Sequence, residues 1–294
     1  MLDATMLKTS HASFECLVQD FNGMLLDRSY HGKGLHRTYL INFGDDEEPD
    51  LAVVKCFGPR SGPFNVFLRS LANFFTGRTG VYAKRRYKTE RKIITVWREN
   101  GFGTFTIIDE LPEQFKGRLW LVTQFADGVT LDAFLADQSV GQPRKDAVMT
   151  CFWAQTARRQ ALALSKRQRR LIPSNPSLKH VMLMPNDEML FFDFEVAFVR
   201  FTSIKTLIGR ELTGYVRSMR RVLNTEQFNH NLKVMVQVFP EPKYLDYVKR
   251  VGKSLNPVIR LCQILGRSFS SKDRGARVNA AKALMRAKKE ATCK

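Results

Sequence analysis

The chain has 294 residues, enough for one large domain or two lobes about a shared cleft. Apolar side chains make up 44% of it and phenylalanine alone occurs 22 times, which excludes a chain disordered throughout. Basic side chains outnumber acidic ones by 47 to 28, and a net charge of +19 draws polyanions (nucleic acid, anionic lipid headgroups, phosphorylated glycans) without choosing among them.

Residues 14–57 predict β structure. Short apolar stretches at 24–26, 39–43 and 51–57 are separated by His31-Gly32-Lys33-Gly34 and by the acidic run 45–50. Crowded carboxylates repel one another, so that run is expected at a solvated hairpin tip. Phe64, Phe67, Leu68, Leu71, Phe74 and Phe75 recur at spacings of three and four and predict a helix over 64–75, with Gly77 and Gly80 after it. A second helix is expected over 83–99, followed by a turn at 101–103, strands at 104–109 and 118–125, and a helix opening near Asp132. Helical character then dominates from 146 to 171 and is broken at Pro173-Ser174-Asn175-Pro176. An apolar hairpin over 181–184 and 189–194 turns at Pro185-Asn186-Asp187, and beyond 205 the pattern is helical again. The last stretch, 251–294, carries eleven lysines and arginines against two acids.

Five cysteines (Cys16, Cys56, Cys151, Cys262 and Cys293) lie far apart with no CxxC pair, which argues against a zinc ribbon or a disulfide framework and suits a reducing compartment. The opening MLDATMLKTSHASFE lacks the basic-then-apolar pattern of a signal peptide, and no run of eighteen apolar residues occurs. A cytoplasmic location is expected.

Three groups of residues point to chemistry. Ala52-Val53-Val54-Lys55 ends a strand and Glu90 lies on the next long helix. The stretch LWLVTQFADGVT (119–130) reads as a buried strand leading to a turn at Gln124, Phe125 and Ala126. Phe192-Asp193-Phe194-Glu195 closes the hairpin, with Asn175 and His180 five residues apart before it. An acid flanked by phenylalanines at a strand end is uncommon unless paired or metal-bound, because burying a lone carboxylate is costly.

In this order these landmarks resemble the protein-kinase-like ground plan, and the resemblance implies an α+β, two-lobed protein-kinase-like fold. The β-rich small lobe would span 1–125, the helical large lobe 126–250 and a basic helical tail 251–294. It further implies ATP and Mg²⁺ in the cleft. Gly32, Lys33 and Gly34 would cover the phosphates, Lys55 would bind them and Glu90 would orient Lys55. Gln124, Phe125 and Ala126 would pair with adenine, and Asp193 would hold metal. Within that fold the VVK strand, the basic aromatic insert over 63–99 and Asp193-Phe194-Glu195 in place of D-F-G resemble the bacterial lipopolysaccharide core (Kdo and heptose) kinase family. That likeness implies phosphotransfer to a core sugar at the inner membrane face.

Two positions depart from the family pattern. Asn175 stands where the catalytic acid is expected and cannot act as a base at neutral pH. His180 stands at the second metal position, where its imidazole suits Mg²⁺ poorly; it also reads as a loop residue bonded to backbone, and Asn175 as a turn residue between prolines. A pseudokinase that binds a protein partner or an anionic membrane without catalysis is the alternative. Positive charge concentrates over 84–92, 158–170 and 260–294, and these segments read either as solvated helix faces or as contacts to an anionic glycolipid or membrane surface. The aromatic face of the 64–75 helix suits either shallow insertion at a bilayer interface or packing against the small lobe. Nucleic acid is the least supported partner, since no RNP motif, KH loop or zinc finger is visible.

Overall fold

Leu51–Phe57 (β3) alternates in burial from Leu51 to Lys55, ends on a buried Phe57, and orients the sheet around it. The computed structural model describes residues 24–28, 36–43, 50–58, 63–75, 77–111, 113, 119–239, 242–251 and 272–292. Within these, β3 pairs antiparallel with His36–Asn42 (β2) on one side and Trp120–Gln124 (β4) on the other, and β2 pairs with Met24–Arg28 (β1). Ala52 and Val54 point to one face and form a buried cluster with Tyr39, Ile41 and Val122. The other face carries Lys55 and Phe57, with Leu121 opposite Lys55 in register. The expected loop Gly32, Lys33 and Gly34 and the acidic run 45–49 lie outside the described residues.

Helix α1 (Pro63–Phe75) and helix α2 (Ala83–Glu99) follow the sheet, at the positions that the three-and-four spacing predicts. Residues 104–109 do not form the strand expected of them. Thr104 bridges to Phe191 in parallel and Ile107 to Thr123 antiparallel, while Thr106 and Ile108 exchange single hydrogen bonds with Gln124 and Val122. The segment changes partner midway, so neither ladder grows beyond one pair.

After β5 (Val129–Thr130) and helix α3 (Leu131–Ala136), the long helix α4 spans Gln142–Ser165. It starts earlier and ends earlier than the 146–171 pattern suggests. Pro143 suits a first helical turn, and Arg167 at φ +52° reverses the chain after the last turn. Arg169–Leu171 is a separate 3₁₀ turn. The hairpin of β6 (Val181–Leu183) and β7 (Met189–Phe191) joins β5 in a second, three-stranded antiparallel sheet. Helices α5 (Ile204–Val222), α6 (Thr225–Val238), α7 (Pro242–Asp246) and α8 (Lys272–Thr292) complete the described chain. The protein is thus a mixed α+β fold with small antiparallel sheets and a predominantly helical second half.

The larger core runs without a break from Phe57, Ile93, Ile94 and Trp97 through Phe102 and Leu121 to Phe152, Trp153, Phe191, Tyr215 and Leu284. Helix α2 therefore packs against both the four-stranded sheet and the helical half. Within that core Arg159 of α4 is fully buried, bonded to the Glu211 carboxylate of α5 and to the Leu171 carbonyl, with Gln160 donating to the other Glu211 oxygen at 3.0 Å. Among the described residues no helix is long and apolar enough to cross a membrane.

Candidate functional site

One face of α2 builds the first wall of a crevice. Arg86, Glu90, Ile93 and Trp97 recur at spacings of four, three and four and are all buried. The lower part of this stripe is apolar and locks into the core, which holds Glu90 rigidly across from β3. Lys55 reaches over from β3 and donates to both Glu90 oxygens, at 3.0 and 2.8 Å. Phe57, two residues along the same strand face, lies under this pair with its ring centroid 5.3 Å from the Lys55 ammonium and 5.6 Å from the Arg86 guanidinium.

The opposite wall is the turn after β7. Phe191 is fixed by its amide to the Gly103 carbonyl and by its ring against Trp97, 5.1 Å between centroids. Phe194 packs on the same indole at 4.7 Å, while Phe192 lies against Phe105 and His180. Between them Asp193 adopts φ +66°, a left-handed conformation that costs a non-glycine residue about 1–3 kcal/mol and persists only where its surroundings impose it. The conformation turns the Asp193 carboxylate toward Lys55, 3.8 Å away. Two residues on, Glu195 reaches the same ammonium at 2.9 Å and the Arg86 guanidinium at 3.0 Å.

Three carboxylates and two cations thus meet in one place, and these five side chains sum to one negative charge when all are ionised. Burial works against the Lys55 ammonium, yet Glu90, Glu195 and Asp193 outweigh it and hold its pKa above the ordinary lysine range. Glu90 is pushed up to about 7 by burial, against the attraction of Lys55, with Glu195 and Asp193 adding to the rise.

His180 stands beside Asp193. Its Nδ1 lies 3.0 Å from the Asn175 carbonyl, which can only accept, so Nδ1 carries the proton and donates. Nε2 then presents its lone pair to Asp193 Oδ2 at 3.3 Å. Burial lowers the His180 pKa, opposed by Asp193, and so favours the neutral ring. Two facing lone-pair donors at this distance resemble neighbouring ligands of one octahedral cation, about 3 Å apart for bonds of about 2.1 Å. Among the described residues no group of three or more histidine, cysteine, aspartate or glutamate side chains is arranged to hold a metal ion by itself. The Asp193–His180 pair would supply two donors, and the rest must come from a ligand or water.

The remaining expected residues fare unevenly. The Asn175 side chain is exposed at the rim of a pocket lined also by Arg78, Ser174, Arg210 and Arg217. At the end of β4 the Gln124 amide donates to the Thr106 carbonyl and the Phe125 amide to the Leu51 carbonyl, so neither N–H is available to an adenine edge in this state. The hinge expectation at Gln124, Phe125 and Ala126 then rests on Ala126 and on the carbonyl oxygens of the three residues. Two groups escaped the sequence reading. Arg86 sits in the basic stretch 84–92 assigned to a surface, yet it is buried and paired; its place four residues before Glu90 on the same helix face was the available signal. Glu195 was recognised only as the end of the Asp-Phe-Glu motif, and its proximity to Lys55 follows from the left-handed turn at Asp193, which spacing cannot reveal.

No protein-family model matches the chain, and no curated protein matches it.

Proposed function

We propose that the protein is a two-lobed, kinase-like phosphotransferase that uses ATP with a divalent cation, and that its acceptor is a hydroxyl of a lipopolysaccharide core sugar. The single observation that carries the reading is the Lys55 ammonium held at 2.8 Å by Glu90, with the Asp193 carboxylate 3.8 Å from the same nitrogen. Phosphoryl transfer depends mainly on positioning and charge neutralisation, which is what a clamped ammonium facing a metal-binding carboxylate offers.

In this reading Lys55 binds phosphate oxygens and Glu90 fixes the direction of its N–H bonds. Asp193 and His180 fit a divalent cation, whose charge would offset that of the phosphates. An imidazole in the donor set favours Mn²⁺ over Mg²⁺. Glu195 shares Lys55 with Glu90 and ties it to Arg86, so the ammonium is positioned from both walls of the crevice. With Glu90 ionised the five charged side chains sum to −1, so a polyanion that arrives with its cation is favoured over one without. Asn175 can orient an acceptor hydroxyl by hydrogen bonding but cannot take its proton, and loss of a general base typically lowers turnover about 10²–10⁴-fold. Slow transfer is therefore expected.

That same asparagine favours a second reading, a pseudokinase that binds nucleotide without transfer. Purified protein incubated with labelled ATP, Mn²⁺ or Mg²⁺ and dephosphorylated core oligosaccharide separates the two. The enzyme reading expects label in the sugar, dependent on metal and lost in Lys55→Ala. Nucleotide-dependent thermal stabilisation with no transfer to sugar would establish the pseudokinase instead.

A further inference from the structure

Helix α1 has two faces with opposite fates. Val66 is buried, the Ser70 hydroxyl accepts from the Val81 amide at 3.2 Å, and Asn73 donates to the Thr79 carbonyl at 2.9 Å, so one stripe is tied to the chain that follows it. The other stripe is Phe64, Phe67, Leu71, Phe74 and Phe75, at 72%, 52%, 38%, 44% and 37% exposure. Among the described residues, neither the sheet nor the helical half covers this largely aromatic face.

A second element adds to it. Gly77 at φ +72° lets the chain pass so close to residue 200 that a Cβ there would lie 1.8 Å from the Arg200 carbonyl. Its own carbonyl accepts from the amides of Val199 and Arg200 at 2.8 and 3.2 Å. This junction sets Phe201 beside Phe74, 6.3 Å between ring centroids, and leaves it 71% exposed. Phe201 itself has φ +60°, which is strained for a bulky residue and here presents an aromatic ring to solvent rather than to the core. The Arg200 guanidinium lies over the Phe74 ring at 4.4 Å, and Arg69 is exposed on α1.

We infer that α1 and the Phe201 turn form a docking surface for an anionic lipid bilayer. The charge distribution selects the occupant. Residues 51–98 contain eleven lysines and arginines, nine of them besides the crevice residues Lys55 and Arg86, and a single acid, Glu90, which is buried against Lys55. A face of phenylalanines with Arg200 over Phe74 and Arg69 exposed on the same helix, and with no exposed carboxylate in that stretch, matches the acyl boundary and negative headgroups of an anionic membrane. The inference concerns a surface apart from the Lys55 crevice and stands whether or not the crevice transfers phosphate.

The test is co-sedimentation of the full chain with vesicles of phosphatidylcholine alone or with about 30% phosphatidylglycerol. The expected result is binding to the anionic vesicles, weakened by high salt, and lowered about tenfold or more in a Phe67→Ser/Phe74→Ser variant. Phe67 is half exposed and Phe74 makes only surface contacts with Phe75, Phe201 and Arg200, so the variant should stay folded, with a melting temperature close to that of the wild type. As a second readout that needs no deletion, the fluorescence of Phe67→Trp should shift to the blue on vesicles and be quenched by lipids brominated in the acyl chain. Absence of vesicle binding, or an unquenched Trp in a protein that does bind, would overturn the inference. So would a concentration-dependent dimer that the double substitution abolishes in the absence of any lipid affinity, since the face would then serve a protein contact.

Discussion

At the scale of single residues the account rests on an ammonium shared among three carboxylates. Glu90 is the group whose ionisation is most exposed to this crowding, with its pKa pushed up to about 7 by burial and then by Glu195 and Asp193, while Lys55 pulls the other way. A carboxyl whose folded value lies above its unfolded value binds its proton more tightly in the native state. Stability from this group is then fully present below the unfolded value, near 4.5, and is lost as pH rises toward 7. Comparing urea unfolding of wild type and Glu90→Gln across pH 4.5 to 8 isolates that contribution. The wild-type advantage should fall with rising pH, by up to about 3 kcal/mol across the window, and level off above it. A difference that grows with pH would show that Lys55 dominates and that the extra carboxylates do not crowd Glu90.

Lys55, Glu90 and Asp193 were legible in the sequence because each sits on or beside a strongly patterned element. An apolar strand, an amphipathic helix and an apolar hairpin each announce themselves by period, and the three residues fall at their ends or faces. Arg86 and Arg159 were harder to read. Each lies in a run of basic residues that reads as solvated surface; the register of Arg86 with Glu90 hints that it turns inward, but the carboxylate partners, Glu195 and Glu211, appear only in three-dimensional packing. The backbone at Asp193 was equally hidden, since a left-handed turn at a non-glycine residue leaves no periodic trace.

At the scale of elements, α2 is the piece on which both halves depend. Its Trp97 packs with Phe102, Phe191 and Phe194, donates to the Arg170 carbonyl at 2.9 Å, and lies 4.5 Å from the Arg159 guanidinium. Arg159 in turn joins α4 to Glu211 of α5 and to the 3₁₀ turn at Leu171, so the chain of contacts runs from the crevice to the centre of the helical half. Removing one partner of such a buried pair strands the other charge without water. Arg159→Met should cost about 3–5 kcal/mol in urea unfolding, whereas Arg159→Met combined with Glu211→Leu should recover much of that loss. If the double variant is as unstable as the single one, the helical junction is held by packing around the pair and not by its charges. The strand expected over 104–109 failed at this scale too: its residues have strand-like composition, but they bond first to β7 and then to β4, and sequence cannot show a change of partner.

At the scale of the whole molecule, the net charge of +19 and the negative crevice pull in opposite directions. The surface as a whole attracts anions, while the five side chains at the crevice sum to −1 when all are ionised, and the proposed nucleotide site would take a polyphosphate together with its cation. General basicity would thus bind ATP with or without metal, weakly and with strong salt dependence. A built nucleotide site would discriminate. The mixed α+β character was readable from the order of short apolar runs followed by long amphipathic ones. How the two halves share one core was not, because Ile93, Ile94 and Trp97 read as an ordinary helix face, and their contacts with Phe194 and Arg159 join residues far apart in sequence.

Calorimetric titration of ATP into the protein, with Mn²⁺, with Mg²⁺ and with chelator, puts the crevice to its most direct test. One saturable site per chain is expected when metal is present, tighter with Mn²⁺ than with Mg²⁺, with no such site in chelator and none in either Lys55→Met or Asp193→Asn. Equal binding with and without metal, or binding that survives both substitutions, would contradict it.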